Sequence, residues 1–129
     1  MNKLDKESIV GIAALLVHAA NIDEIYTNHE KDLIKNFIKS YLDNEDANKI
    51  LNEAEKIESN SNQLLNFTNI IKKNSMEIKK DIIEHLWKVI ISDNTVDQYE
   101  SNLMRRICGL IYFPDKECAE LKLKLVNEK

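Results

Sequence analysis

The sequence predicts an all-α fold, a single compact bundle of about seven helices, and three observations carry that prediction. Only two glycines and one proline interrupt 129 residues, whereas all-β turns and phosphate-cradling loops lean heavily on glycine. Apolar residues recur at intervals of three and four in seven stretches parted by short polar breaks, the pattern of amphipathic helices. Hydrophobic residues make up 43% and charged residues 31%, a balance suited to a soluble globule rather than a disordered or membrane chain. At this length one domain, 1–129, is the expected organisation.

The first helix is predicted from Asp5 to Ala20, with Ile9, Ile12, Ala13, Leu16, Ala19 and Ala20 on one face. Its apolar run from Ile9 to Ala20 follows Asp5 and Glu7 and is only twelve residues long, too short to span a bilayer. The second helix starts after Thr27, which with Glu30 forms a Thr-x-x-Glu capping box, and carries Leu33, Ile34, Phe37, Ile38 and Tyr41. A third runs from about Asn44 to Glu58 on Ala47, Ile50, Leu51, Ala54 and Ile57, and Glu58–Asn62 breaks it. The fourth, Ser61 to about Lys73, uses Leu64, Leu65, Phe67 and Ile71, and the fifth, Ser75 to Ile91, uses Ile78, Ile82, Leu86, Val89 and Ile90. The sixth starts at Asp97 on Leu103, Met104, Ile107 and Ile111; Pro114 closes it, and Asp115 caps a last helix on Cys118, Leu121 and Leu125.

Sliding the chain by seventy residues brings Ile12 onto Ile82, Leu16 onto Leu86, Asp23 onto Asp93, Thr27 onto Asp97, Glu30 onto Glu100 and Leu33 onto Leu103. The match runs without a gap through two helices and the turn between them, so the bundle is read as two helix-turn-helix repeats bridged by the third and fourth helices. Each repeat needs the other to cover its apolar face.

Both turns are acidic. Thr27 or Asp97 can cap its helix, with Glu30 or Glu100 reaching back, and the positive end of the helix dipole favours all of them. Capping leaves Asp23 and Asp93 without a task, although an aspartate in a turn can simply support its own backbone. A carboxylate at one offset in both copies also fits a hard divalent cation, which needs oxygens from separate segments. The spacing is not that of an EF-hand: with Asp93 first, Gln98 stands where the glycine belongs and Met104 where the last glutamate belongs.

The stretches LWKVIISDNTVDQYESNLMRRI (Leu86–Ile107) and ALLVHAANIDEIYTNHEKDLI (Ala14–Ile34) resemble the TerB family of tellurite-resistance proteins and the related domain of some membrane-anchored J-protein co-chaperones. In that pattern a helix ends in Ala-Asp-Gly-Glu-hydrophobic-Asp and a Glu opens the next helix, twice over. Asp93, Asp97, Tyr99, Glu100, Leu103, Arg105 and Arg106 follow it in the second turn, and Asp23 and Glu30 in the first. The resemblance covers almost the whole chain. It implies an all-helical domain of about seven helices whose turns bind calcium or a similar cation, with Asp23, Glu30, Asp93, Asp97 and Glu100 as the candidate metal ligands. Glu24 and Asn94 replace the turn glycine, Ile25 and Thr95 replace an acid, and Thr27 replaces the aspartate. Fewer carboxylates imply weaker binding, most of all in the first turn.

Net charge is −4, and the basic residues are scattered, which lacks the footprint of a nucleic-acid binder. His18, His29 and His85 have no second His or Cys at metal-ligand spacing and are expected to pack, His29 being the one beside an acidic turn. Arg105 and Arg106 are read as surface ion-pairing residues or, alternatively, as a fork onto the acidic turns. Trp87, Tyr41, Tyr99 and Tyr112 are read as core or rim. Cys108 and Cys118, with no Cys-x-x-Cys and no leader ahead of them, are expected to be reduced, buried and apolar in a cytoplasmic protein. No nucleophile arrangement or glycine-rich loop supports catalysis. The expected function is a non-enzymatic, calcium- or magnesium-binding scaffold or sensor in stress or tellurite resistance, acting on a protein partner. The alternative is a metal-free interaction module; a hydrolase using metal-activated water ranks below both.

Overall fold

The structure, a computed structural model, describes residues 6–21, 26–42, 47–60, 64–91 and 98–127, except the side chains of 64–66 and 98–100. Among these residues the chain forms α1 (Lys6–Ala20), α2 (Asn28–Tyr41), α3 (Ala47–Asn60), α4 (Leu64–Lys72), α5 (Met76–Ile91), α6 (Gln98–Ile111) and α7 (Asp115–Asn127), and no strand.

The centre is α1. One buried face was expected, but Val10, Gly11, Ala14, Leu15 and Val17 are buried as well. The reason is that α1 is packed by α2, α3, α4 and α5, and a helix apolar on every side is stable only inside. Each fully buried Ile or Leu contributes about 1.5–3 kcal/mol, so Ile9, Ile12, Leu15 and Leu16 make α1 the main hydrophobic anchor. At Gly11 the missing side chain lets α4 approach: a Cβ there would collide with Ile70 Cδ1. Opposite α1 lies α5, with Ile82, Ile83, Leu86 and Val89 wholly buried and Glu77, Lys80 and Lys88 exposed.

The duplication survives in the element bounds. Adding seventy to the start of α1 and to both ends of α2 gives the start of α5 and both ends of α6. The pairing also extends further than the sequence match, because α5 packs on α7 as α1 packs on α3. Only α4, which touches α1, α5 and α6, is therefore left as the bridge, rather than α3 and α4 together.

Local chemistry sets the ends. Ser75 opens α5, its Oγ accepting from the Ile78 N–H at 3.3 Å, and Asn74 closes α4 by donating Nδ2–H to the Ile70 carbonyl at 2.8 Å. α6 ends in a Schellman motif, in which the Phe113 N–H reaches the Cys108 carbonyl and the Tyr112 N–H the Gly109 carbonyl. Tyr112 occupies the left-handed position, φ 60°, where glycine is usual. Two expectations are corrected here. The Cys118 N–H bonds the Pro114 carbonyl at 3.1 Å, which makes Pro114 the cap and Asp115 the first helical residue, still favoured by the helix dipole. Ile57, assigned to the core face of α3, is 41% exposed because it borders a groove between α1, α3 and α4.

Candidate functional site

Of the five predicted ligands, Asp23, Asp93 and Asp97 lie outside the described residues, and Glu100 lies in the first turn of α6 with its side chain likewise outside. Glu30 is placed in full. It stands at the third position of α2, 6% exposed, because Thr27 turns the chain into the helix with extended geometry, φ −87° and ψ 163°. Thr27 Oγ1 accepts from the Glu30 N–H at 3.1 Å. In return Glu30 Oε1 accepts from the Thr27 N–H at 2.8 Å and the Thr27 hydroxyl at 3.1 Å. The predicted capping box is present on both sides, and it satisfies two donors that the helix itself cannot.

Beside this cap the Tyr26 hydroxyl donates to Glu55 Oε2 at 2.7 Å, fastening the first turn to α3. His18 Nδ1 lies 3.3 Å from Glu58 Oε2, tying α1 to the same helix. Burial, then the Glu55 acceptor, then the charges of Glu55, Glu30 and Glu58 hold the Tyr26 phenol well above its ordinary range. The face between α1, α2 and α3 is thus rich in negative charge. Lys31 stands against it, its Nζ 5.0 Å from the centre of the Tyr26 ring. Among the described residues no three His, Cys, Asp or Glu side chains form a group suited to a metal ion.

His85 is a packing residue. Its Nδ1–H donates to the Asp81 carbonyl at 2.8 Å, and its ring meets Phe37 edge-on at 5.1 Å. Tyr41 donates to Asp81 Oδ2 at 2.6 Å, joining α2 to α5. His29, Arg105 and Arg106 are exposed, and the arginine fork falls on carboxylates outside the described residues. Trp87 is core, 4% exposed, and its indole donates to the Cys118 carbonyl at 3.2 Å, whereas Tyr112 is exposed. Cys108 and Cys118 are both buried with free thiols, and they are more than apolar filler: the Cys108 thiol donates to the Cys118 sulfur. Nothing in the spacing of these cysteines announced that contact, since α6, the Schellman turn and α7 have to be folded first.

Among the described residues no helix is long and apolar enough to cross a membrane. Comparison with known proteins gave one family: the model described as tellurite resistance protein TerB matches residues 10–123. No curated protein and no solved structure matches the chain.

Proposed function

The chain belongs to the TerB family of tellurite resistance proteins, and on that footing we propose a non-enzymatic cytoplasmic scaffold or sensor whose acidic turns take up a divalent cation. The observation that carries the reading is the duplication: helices of matching bounds flank both turns, so Asp23 and Asp93 stand at one offset from α2 and α6. The residues that would hold calcium or magnesium are Asp93, Asp97 and Glu100, joined by Asp23 and Glu30. Such an ion supplies a hard positive charge that draws oxygens of separate segments together. The chain's own part is to set the angle between helix pairs and so shape a surface for a protein partner in a stress or tellurite-resistance setting. Thermal unfolding with and without calcium tests it. A site saturated a hundredfold over its Kd adds about 2.7 kcal/mol, and the gain disappears in Asp93→Asn. An unmoved midpoint at millimolar calcium and magnesium removes the cation.

One observation favours a metal-free interaction module instead. Glu30 Oε1 is already engaged by Thr27, and a groove of about 590 Å³ lined by Val10, Gly11, Ile57, Phe67 and Ile70 opens at the opposite end of α1 from the first turn. On that reading Asp93→Asn leaves partner binding intact, and Ile57→Glu abolishes it.

A further inference from the structure

We propose that Cys118 and Cys108 form a peroxide-oxidisable dithiol, with Cys118 the attacking thiolate and Cys108 the resolving thiol. The two residues sit on α6 and α7, helices that pack together across the Schellman turn, and the Cys108 thiol hydrogen-bonds to the Cys118 sulfur. Their surroundings differ. Cys108 is wholly buried, whereas Cys118 is 6% exposed and lines a pocket of about 500 Å³ with Trp87, Ser101, Arg105, Lys116 and Lys122. Three cationic side chains at one pocket favour negative charge on its contents. The Lys122 ammonium also lies 5.5 Å from the centre of the Trp87 ring, so it stays near the sulfur.

The same contacts divide the thiols by acidity. The Cys108 hydrogen bond, then the Trp87 indole and the Lys122 charge, lower the Cys118 thiol, against burial and Asp115, which raise it. Cys108 is pushed up, first by its bond to Cys118, then by burial and the Cys118 charge. A low thiol able to form the nucleophile beside a high thiol held protonated is the asymmetry on which dithiol chemistry runs.

The chemistry balances with a hydroperoxide as oxidant. Cys118 thiolate attacks the terminal oxygen; the O–O bond breaks, the leaving alkoxide or hydroxide takes up a proton from water, and Cys118 becomes a sulfenic acid. The Cys108 sulfur then attacks the Cys118 sulfur; the S–O bond breaks, and the departing hydroxide leaves as water with the Cys108 proton. Two thiols have lost two electrons, and one hydroperoxide has become an alcohol, or water, plus water.

The test exposes the full chain to hydrogen peroxide and follows intact mass, free thiols and peptide linkage. The expected result is loss of two hydrogens within one chain, loss of both thiols, a Cys108–Cys118 linked peptide, and recovery with dithiothreitol. Cys108→Ser stops at a sulfenic acid trapped by dimedone, and Cys118→Ser gives neither adduct nor disulfide. Wild-type chain that keeps both thiols, links to other chains instead, or forms the adduct in Cys118→Ser overturns the proposal. If either serine variant loses its helical circular dichroism, the wild-type peptide map decides alone, and absence of the linked pair overturns it.

Discussion

Neutralising Glu30 measures what the first acidic turn is for. Glu30→Gln keeps the shape and an acceptor for the Thr27 N–H and hydroxyl, now 2.8 and 3.1 Å from Oε1, but removes the charge facing the start of α2. The lost dipole interaction is worth about 0.3–1 kcal/mol at an exposed helix end and up to about 2 when partly buried. Relief from Glu55 and Glu58, whose charges share the Tyr26 surroundings with Glu30, offsets part of it, leaving a net cost of about 0.5–1 kcal/mol. Thr27→Ala removes the Oγ1 acceptor and costs about 1 kcal/mol. Because the two side chains bond each other, the double variant costs less than the sum, by about 0.5 kcal/mol. Thermal unfolding followed by far-UV circular dichroism reads these as falls of about 3–5 °C per kcal/mol for a chain of this size. Strict additivity of Thr27→Ala and Glu30→Gln, or a midpoint unmoved by both, would refute the reasoning. Repeating the scans with calcium separates the roles. A capping glutamate leaves the calcium shift as it was, and a ligand takes part of the shift with it.

Gly109→Ala meets nothing within 4 Å and is expected to stabilise α6 by up to about 1 kcal/mol, whereas Gly11→Ala must displace Ile70 at about 0.5–1.5 kcal/mol and comes out neutral or worse; urea unfolding of the pair measures the difference. Tyr112→Gly should be more stable than Tyr112→Ala by about 1 kcal/mol, since only glycine adopts φ 60° without strain, although both lose the Lys72 ammonium now 4.9 Å from the centre of the ring. Tyr26 and Tyr41 are held above their ordinary range by burial and by Glu55 and Asp81. The stability this contributes is complete below pH about 10 and is lost above it as the unfolded phenols ionise. Midpoints of Tyr26→Phe and Tyr41→Phe should therefore fall less steeply with alkali than wild type.

Helix positions were legible because they follow from local periodicity and caps: Thr27 with Glu30 starts α2 as read, and α5 begins one residue from the expected Ser75. The seventy-residue offset was legible too, since duplicated elements keep their spacing whatever they pack on. Depth of burial was not. Val10, Leu15 and Val17 lie on the side of α1 that an amphipathic helix would expose, and only the convergence of four neighbours buries them. Ile57 erred the other way, because an apolar residue in register still stays exposed if no neighbour closes over it. Contacts between distant segments, Tyr26 with Glu55, Tyr41 with Asp81 and Cys108 with Cys118, have no periodic signature. The cation ligands remain a reading from sequence at Asp23, Asp93 and Asp97.

The two copies have parted in a way that bears on where an ion could matter. In the first, Tyr26 ties the turn to Glu55 on α3, and a neutral Thr27 caps the next helix, so hydrogen bonds alone already fix that turn. Seventy residues on, Val96 replaces the tyrosine and Asp97 replaces the threonine. That turn has lost the hydroxyl that anchors its counterpart and gained a carboxylate. A turn held by neutral hydrogen bonds gains little from a cation, whereas one with an added negative charge and one fewer tether gains both charge compensation and order. The divergence therefore assigns the mechanical role to the first turn and the cation-dependent role, within the proposed function, to the second.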